Sequence, residues 1–432
     1  MTVENFRAKR GNIMKLGLDR VSANPKLLSG LGRIGLITHQ AVTDSHYRPA
    51  VEVIHEATAR LQEPNTKITA VFGPQHGYGQ TEQDNMFETP DTKISLPNGS
   101  QVPLFSLYSK SREPSSTQME LVDTLLVDMP DIGCRVYTYI QTLANCIDVA
   151  AKLGKRIVVL DRPNPIGMLH RCPTTNKWRH VEANALDMRY ASFVGCCPVP
   201  LRHGLSIGEF GLYYKNWKKV SLDYRVIEFE GLQRNVPLSE LAALPWTLPS
   251  PNMPNWLAAY LFPGFVVLEA TNVSEGRGTT LPFLLAGAPW QDAAATRAFL
   301  EKRFPTNSVA IRPHDFRPTF NKHATQICKG LEFHITNAEN LLPFELGTWY
   351  LYHTIASCRE NFKWKEPGYE YNFQDPPYLL VLGHEKWKTA FESALRLGVC
   401  SESEEIMNAT MNWAAADAQR FGEEAQEFFI YR

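Results

Sequence analysis

The sequence predicts a doubly wound α/β domain built on a mostly parallel sheet, followed by a smaller, mixed α+β domain. Three observations predict it. Short β-rich runs alternate with helical stretches through the first three-quarters of the chain. The runs are almost continuously apolar, as strands buried on both faces of a parallel sheet are. At 432 residues the chain is longer than one ordinary core serves. Taken in order, Arg33 to Thr38 reads as a strand, followed by a loop and a helix through about Ala50 to Leu61. Lys67 to Phe72 and Thr124 to Asp128 are the next strands; a helix through about Tyr139 to Leu153 leads into the strand Arg156 to Leu160. The apolar run Phe262 to Leu268 reads as a further strand. After Trp290 the texture changes to a helix near Asp292 to Arg303, a mixed segment and a long C-terminal helical stretch. The expected domains are therefore 14–290 and 291–432, with residues 1–13 an extension without structure of its own.

Composition excludes several classes. With 44% hydrophobic and 21% charged residues the chain is ordinary and globular. A formal net charge of -1 gives no pointer to nucleic acid or to an anionic membrane. No stretch approaches the roughly 18 uncharged apolar residues of a membrane span. The eight cysteines are scattered, none in a Cys-x-x-Cys pair, and no histidine stands beside them at zinc-ligand spacing. Together with an N-terminus lacking an apolar signal-peptide core, this leads us to expect a reduced, cytoplasmic protein. Oligomeric state is left open.

The polar residues gather where the strands end. The segment 269–280 carries Glu269, Thr271, Asn272, Ser274, Glu275, Arg277, Thr279 and Thr280, with Gly276 and Gly278 to let the backbone turn or approach a ligand. After Phe72 comes Gly73-Pro74-Gln75-His76-Gly77, then Glu82, Asp84, Asn85 and Glu88. Asp128 to Arg135 leads to Tyr137; Asp161-Arg162-Pro163-Asn164 follows Leu160; Arg202-His203 and Ser250-Pro251-Asn252 come later. Loops beyond the carboxyl ends of parallel strands converge at one edge, where α/β proteins bind ligands. Each has a bland alternative. Asp161-Arg162 reads equally as an ion pair within a loop, and His76 or His203 as a satisfied interior histidine. Asp128 reads as a helix cap, and Ser206-x-x-Glu209 as a capping box.

Gly30-Leu-Gly32-Arg-Ile-Gly35 matches G-x-G-x-x-G literally, but its glycines precede and enter a strand. A dinucleotide fingerprint follows a strand and opens a helix, so the match is accidental. Neither a G-x-x-x-x-G-K-[ST] loop nor a G-x-S-x-G elbow occurs.

Phe-Gly-Pro-Gln-His-Gly (72–77), Asp-Ile-Gly-Cys-Arg-Val-Tyr-Thr-Tyr (131–139), Leu-Asp-Arg-Pro-Asn-Pro (160–165), Ser-Phe-Val-Gly (192–195), Arg-His-Gly (202–204), Pro-Ser-Pro-Asn-Met-Pro (249–254) and the 269–280 segment stand in this order. Together they closely resemble the NamZ-like (YbbC-like) exo-β-N-acetylmuramidase family, from about residue 15 to the C-terminus. The resemblance implies a Rossmann-like catalytic domain with a C-terminal auxiliary domain. It also implies removal of non-reducing terminal N-acetylmuramic acid from peptidoglycan fragments, with no nucleotide, metal or other cofactor. The substrate would be a muropeptide or a disaccharide containing N-acetylmuramic acid.

Such chemistry asks for a proton donor to the leaving oxygen and a carboxylate that activates water or attacks. Glu82, Glu275 and Glu269 are the candidates, with His76 and Asp161 as polarising or orienting partners. The lactyl carboxylate suits a guanidinium, and Arg135, Arg162, Arg202 and Arg277 are available. Gln75, Asp84, Tyr137, Asn164, His203, Asn252, Asn272 and Ser274 complete the expected sugar-binding set. One departure matters. The family's first motif usually carries Glu where this chain has Gln75, and an amide transfers no catalytic proton at neutral pH. The carboxylate would then come from Glu82, Asp84, Glu88, Glu269 or Glu275, or the substrate's N-acetyl oxygen would assist. Two alternatives stand beside this: a muropeptide-binding protein with impaired catalysis, and a hydrolase of another acidic sugar.

Overall fold

The structure is a computed structural model that describes residues 14–83 and 86–432. The expected extension 1–13 and Asp84, expected to bind substrate, lie outside the described residues. The strands are β1 (Arg33–Ile37), β2 (Lys67–Gly73), β3 (Thr92–Ser95), β4 (Gln101–Ser106), β5 (Thr124–Val127), β6 (Arg156–Leu160), β7 (His170–Arg171), β8 (Trp178–Arg179), β9 (Glu182–Ala185), β10 (Pro200–Arg202), β11 (Tyr224–Ile227), β12 (Leu285–Ala288), β13 (Val309–Pro313) and β14 (Lys329–Ile335). Seven form the central sheet in the order β11-β6-β5-β1-β2-β4-β3, parallel throughout except for the edge strand β3.

Both faces of this sheet are covered, and strand residues divide between two cores by alternation. Leu125, Val127, Ile157 and Val159 join the core of the helices Tyr139–Lys152 and Ile207–Trp217. Leu126, Val158 and Leu160 join that of Gly17–Ala23 and Ala50–Leu61. Each fully buried Val, Leu or Ile contributes about 1.5–3 kcal/mol, so the alternation fixes strand register strongly. The expected doubly wound α/β class is what forms. The sequence order reverses between β1 and β5, which places a switch point at the carboxyl edge there. Gly30 and Gly32 adopt positive φ in the turn entering β1, at the opposite edge from any phosphate-binding position.

One element departs from expectation. Phe262–Leu268 is not a strand: it is the end of the helix Trp256–Phe265 running into a 3₁₀ turn, Val266–Ala270. The helix is buried on nearly every side, so its sequence shows no polar stripe and periodicity cannot separate it from a buried strand. It packs against the helix Pro343–Ser357. Gly264 and Gly347 meet back to back, and a Cβ on Gly264 would stand 1.9 Å from the Pro343 carbonyl oxygen.

Behind the sheet, β12, β14 and β13 form an antiparallel sheet surrounded by helices. The last long helix, Ser401–Ala425, returns to β9, where Asp417 accepts from the Ala185 amide at 2.8 Å. Beyond it, the Tyr431 hydroxyl donates to Asp161 at 2.6 Å. No described helix is long and apolar enough to cross a membrane.

Candidate active site

At the carboxyl edge of the central sheet a small cavity opens between the loops after β2 and β5 and a turn from the C-terminal region. Its polar wall comprises Gln75, His76, Tyr137, Thr138, Ser250, Asn252, Glu269, Arg277, Tyr369 and Glu370.

His76 follows β2 at φ 69°, beside Gly77 at φ 70°, so the chain turns sharply into the cavity. Its Nδ1 lies 2.7 Å from the Glu82 carbonyl oxygen, which only accepts, so Nδ1 carries the proton and Nε2 is the acceptor. Burial pushes the imidazole down to about 4, the hydrogen bond to Glu82 opposes this, and the Arg277 charge adds to it. His76 is therefore neutral at physiological pH. Glu269 sits on the 3₁₀ turn; its Oε1 accepts from the Arg277 guanidinium at 2.5 Å and its Oε2 from the Tyr369 hydroxyl at 2.9 Å. Buried Gln75 accepts from the Thr138 hydroxyl and donates through Nε2 to Glu370 Oε1 at 3.1 Å. Glu370 Oε2 accepts from the Tyr108 hydroxyl at 2.8 Å. Asn252 donates to the Gln83 carbonyl at 2.6 Å and closes the rim.

Of the residues expected from sequence, Gln75, His76, Tyr137, Asn252, Glu269 and Arg277 meet at this cavity. Most of the other described ones hold the scaffold. Asp161, expected as an orienting partner, is fully buried and accepts from the Ser206 hydroxyl (2.6 Å), the Gly208 amide (2.9 Å), the Arg162 amide (3.0 Å) and Tyr431. It therefore anchors the start of the helix Ile207–Trp217. Arg162 does not pair with the Asp161 carboxylate through its side chain. Its guanidinium grips Asp128 through two nitrogens at 2.6 and 3.0 Å, so Asp128 is an ion-pair partner rather than a helix cap.

Arg135 donates to the carbonyls of Asn184, Val199 and Val381, binding the first region to the helix Pro377–Leu382. Arg202 pairs with Glu182 at 2.6 Å. Burial within these networks removes both arginines from ligand contact. His203 is fully buried, burial pushes its imidazole down to about 3, and its Nδ1 accepts from the Leu205 amide. Asn164 closes its own turn through Leu205 and Ile166, and a Cβ on Gly133 would strike its side chain. Asn272 clasps Asn361 and Lys363, and the Ser274 hydroxyl accepts from the Gly276 amide.

Two expected acids are also displaced. Glu275 is buried against Lys322 at 2.5 Å and Arg277 at 3.6 Å. Burial works against its charge, but these two cations prevail and hold the carboxyl below its ordinary value. Glu82 reaches the site through its backbone carbonyl, not its carboxylate. Ser206 and Glu209 do form the expected capping box, and Glu209 also pairs with Arg234 at 2.7 Å.

The sequence reading missed Glu370 and Tyr369, which arrive from a turn far along the chain. The signal available was Tyr369-Glu370-Tyr371 between Gly368 and Asn372, a carboxylate framed by aromatics in a turn. A second cavity lies at the switch point beside Arg162, Asp131 and Trp246. Asp19, Asp44 and His46 approach one another closely enough to share a cation. However, Asp19 already accepts from Ser45, and Asp44 pairs with Arg48 at 2.8 Å.

The chain matches the N-terminal model of the exo-β-N-acetylmuramidase NamZ over residues 34–257 and the C-terminal model over 260–431. It is 34% identical over 346 residues to the peptidoglycan β-N-acetylmuramidase NamZ of Bacillus subtilis (strain 168), covering 80% of this chain and 78% of that one. Crystal structures of two DUF1343 family proteins from Bacteroides fragilis NCTC 9343 share the fold. One has a TM-score of 0.77 at 26% identity and the other 0.65 at 25%, each covering 97% of this chain and 99% of its own. On these matches, which span both regions of the molecule, the chain belongs to the NamZ exo-β-N-acetylmuramidase family.

Proposed function

We infer that this protein is an exo-acting glycoside hydrolase that releases N-acetylmuramic acid from the non-reducing end of peptidoglycan fragments. The observation that carries the reading is the cavity wall, which gathers two carboxylates, a neutral histidine, a guanidinium and two side-chain amides around one space. Carboxylates serve glycosidic cleavage, and amides and hydroxyls serve the N-acetyl group and ring hydroxyls. Arg277 is the guanidinium at this wall, and we assign it the lactyl carboxylate of muramic acid, in competition with Glu269. We take the substrate to be a muropeptide or a disaccharide containing N-acetylmuramic acid. All eight cysteines are free thiols, which suits a reducing compartment, so we place the protein in the cytoplasm, acting on recycled fragments.

Gln75 favours a second reading, a binding protein that kept the pocket and lost turnover. Chromophore release from a β-N-acetylmuraminide, beside the matching glucosaminide, separates the two. Release from the muraminide only is expected, and Arg277→Ala should weaken muraminide binding more than glucosaminide binding. Ligand-induced thermal stabilisation without turnover would favour the binding protein. Equal losses for both sugars in the Arg277 variant would remove the lactyl assignment.

A further inference from the structure

Resting on the glycosidase reading, we propose that Glu370 is the catalytic base of this cavity, taking the proton of the water that attacks the anomeric carbon. Among the described residues lining the cavity, the carboxylates are Glu269 and Glu370. Glu269 is committed to the Arg277 guanidinium, the group assigned to the lactyl carboxylate, and to the Tyr369 hydroxyl. The donors to Glu370 from Gln75 and Tyr108 are an amide and a phenol, one on each carboxylate oxygen, and they orient the group. Gln75 is itself oriented, because its oxygen accepts from Thr138 and its nitrogen must then face Glu370. The amide at position 75 transfers no proton, but it aims the group that does.

The backbone supports the same assignment. Glu370 and Tyr371 have φ of 45° and 65°, and the amide of Asn372 donates to the Tyr369 carbonyl oxygen at 3.0 Å. These are the features of a tight turn with two left-handed central residues, positions that favour Asn and Gly. Glutamate and tyrosine there are strained, and such strain gathers at functional sites. Both neighbours clamp the turn. The Tyr369 hydroxyl holds Glu269, and the Tyr371 ring lies under the Arg112 guanidinium, 3.4 Å from ring centre to cation. Glu370 is thus presented to the cavity between two anchored rings.

In the reaction, an O–H bond of water breaks and its proton passes to Glu370 as the oxygen bonds to the anomeric carbon. The electron pair of the broken glycosidic C–O bond goes to the leaving oxygen. That oxygen takes a proton from solvent, balanced by the one Glu370 later returns.

The test uses the full chain and the chromogenic muraminide. Glu370→Gln should lower kcat by about 10²- to 10⁴-fold, the range of general base catalysis, with little change in KM or Tm. Glu370→Gly relaxes the left-handed backbone, so the variant should fold at least as well as wild type. Its activity should be restored at least about tenfold by azide or formate, with a glycosyl azide formed in the first case. Gln75→Glu sets a second carboxylate against Glu370, so the acid limb of the pH profile should move upward. A purely structural Glu370 would give no anion rescue and no moved limb, and either result overturns the proposal. So does an active Glu370→Gln beside an active wild type. A wild type silent on the muraminide overturns the glycosidase reading first, and this assignment with it.

Discussion

The two edges of the central sheet carry the same kinds of charged residue and use them in opposite ways. At the amino edge Arg33 pairs with Asp123 at 2.7 Å and Arg156 with Asp223 at 2.6 Å, with each partner more than a third exposed. At the carboxyl edge Asp128 and Asp161 are fully buried, and Arg162 is largely so. Water screens the first set, which therefore contributes little to stability. The second set lies where an unpaired charge or an unmade hydrogen bond is costly. The carboxyl-edge loops are thus held rigid by their own acids and bases. Much of the charge expected at the ligand is committed to keeping the loops in place around it.

The largest effect expected from this contrast follows removal of Asp161. Asp161→Ala leaves the Ser206 hydroxyl, the Gly208 amide and the Tyr431 hydroxyl without their shared acceptor. Hydrogen bonds to a charged group are worth about 1.5–3 kcal/mol each and do not add fully, so a loss of about 4 kcal/mol is expected in urea unfolding. A loss under about 1 kcal/mol would break the comparison, because the buried edge would then behave like the solvated one.

A smaller effect sharpens it through pH. His76 is held down to about 4, below its ordinary value of 6.5, mainly by burial. The unfolded chain therefore takes up the proton first as pH falls. The stability linked to a neutral His76 is complete above pH 6.5 and declines as pH drops towards 4, at up to about 1.4 kcal/mol per pH unit. Asp131, raised to about 7 by burial, acts in the opposite direction over much of the same window. The clean measurement is therefore a difference between two curves. His76→Gln should flatten the dependence of unfolding free energy on pH between 6.5 and 4, and an unchanged slope would mean that His76 is not held neutral.

The same contrast explains what was legible in the sequence. Strands β1, β2, β5 and β6 could be read because continuous β-branched runs bounded by turns have few alternative homes. Phe262–Leu268 could not, since a helix buried on all sides and a buried strand are equally apolar. The converging loops were readable as a group. Within them, a charge bound for the ligand and a charge bound for a neighbouring loop look alike, which is why Arg135, Arg202 and Asp161 were expected at the cavity. Glu370 was harder still. It reaches Gln75 across 295 positions of chain, and only tertiary packing brings them together.

The smallest effect belongs to the amino edge. The Arg33 side chain beside Asp123 holds that carboxyl down to about 2, against an ordinary 3.8, even though partial burial opposes it. Because the folded value is the depressed one, the associated stability is present above pH 3.8 and is lost as pH falls towards 2. Nearly half of the Asp123 side chain is in water, so solvent screening reduces the pair to less than about 1 kcal/mol. Asp123→Asn should therefore cost less than about 1 kcal/mol at neutral pH, and less again in 1 M salt, where the Debye length is about 3 Å. The difference from wild type should vanish as pH falls through that acid window. A cost of several kcal/mol that survived high salt would place the amino-edge pair in the same physical class as Asp161. Burial, rather than sheet edge, would then have to be abandoned as the property that separates them.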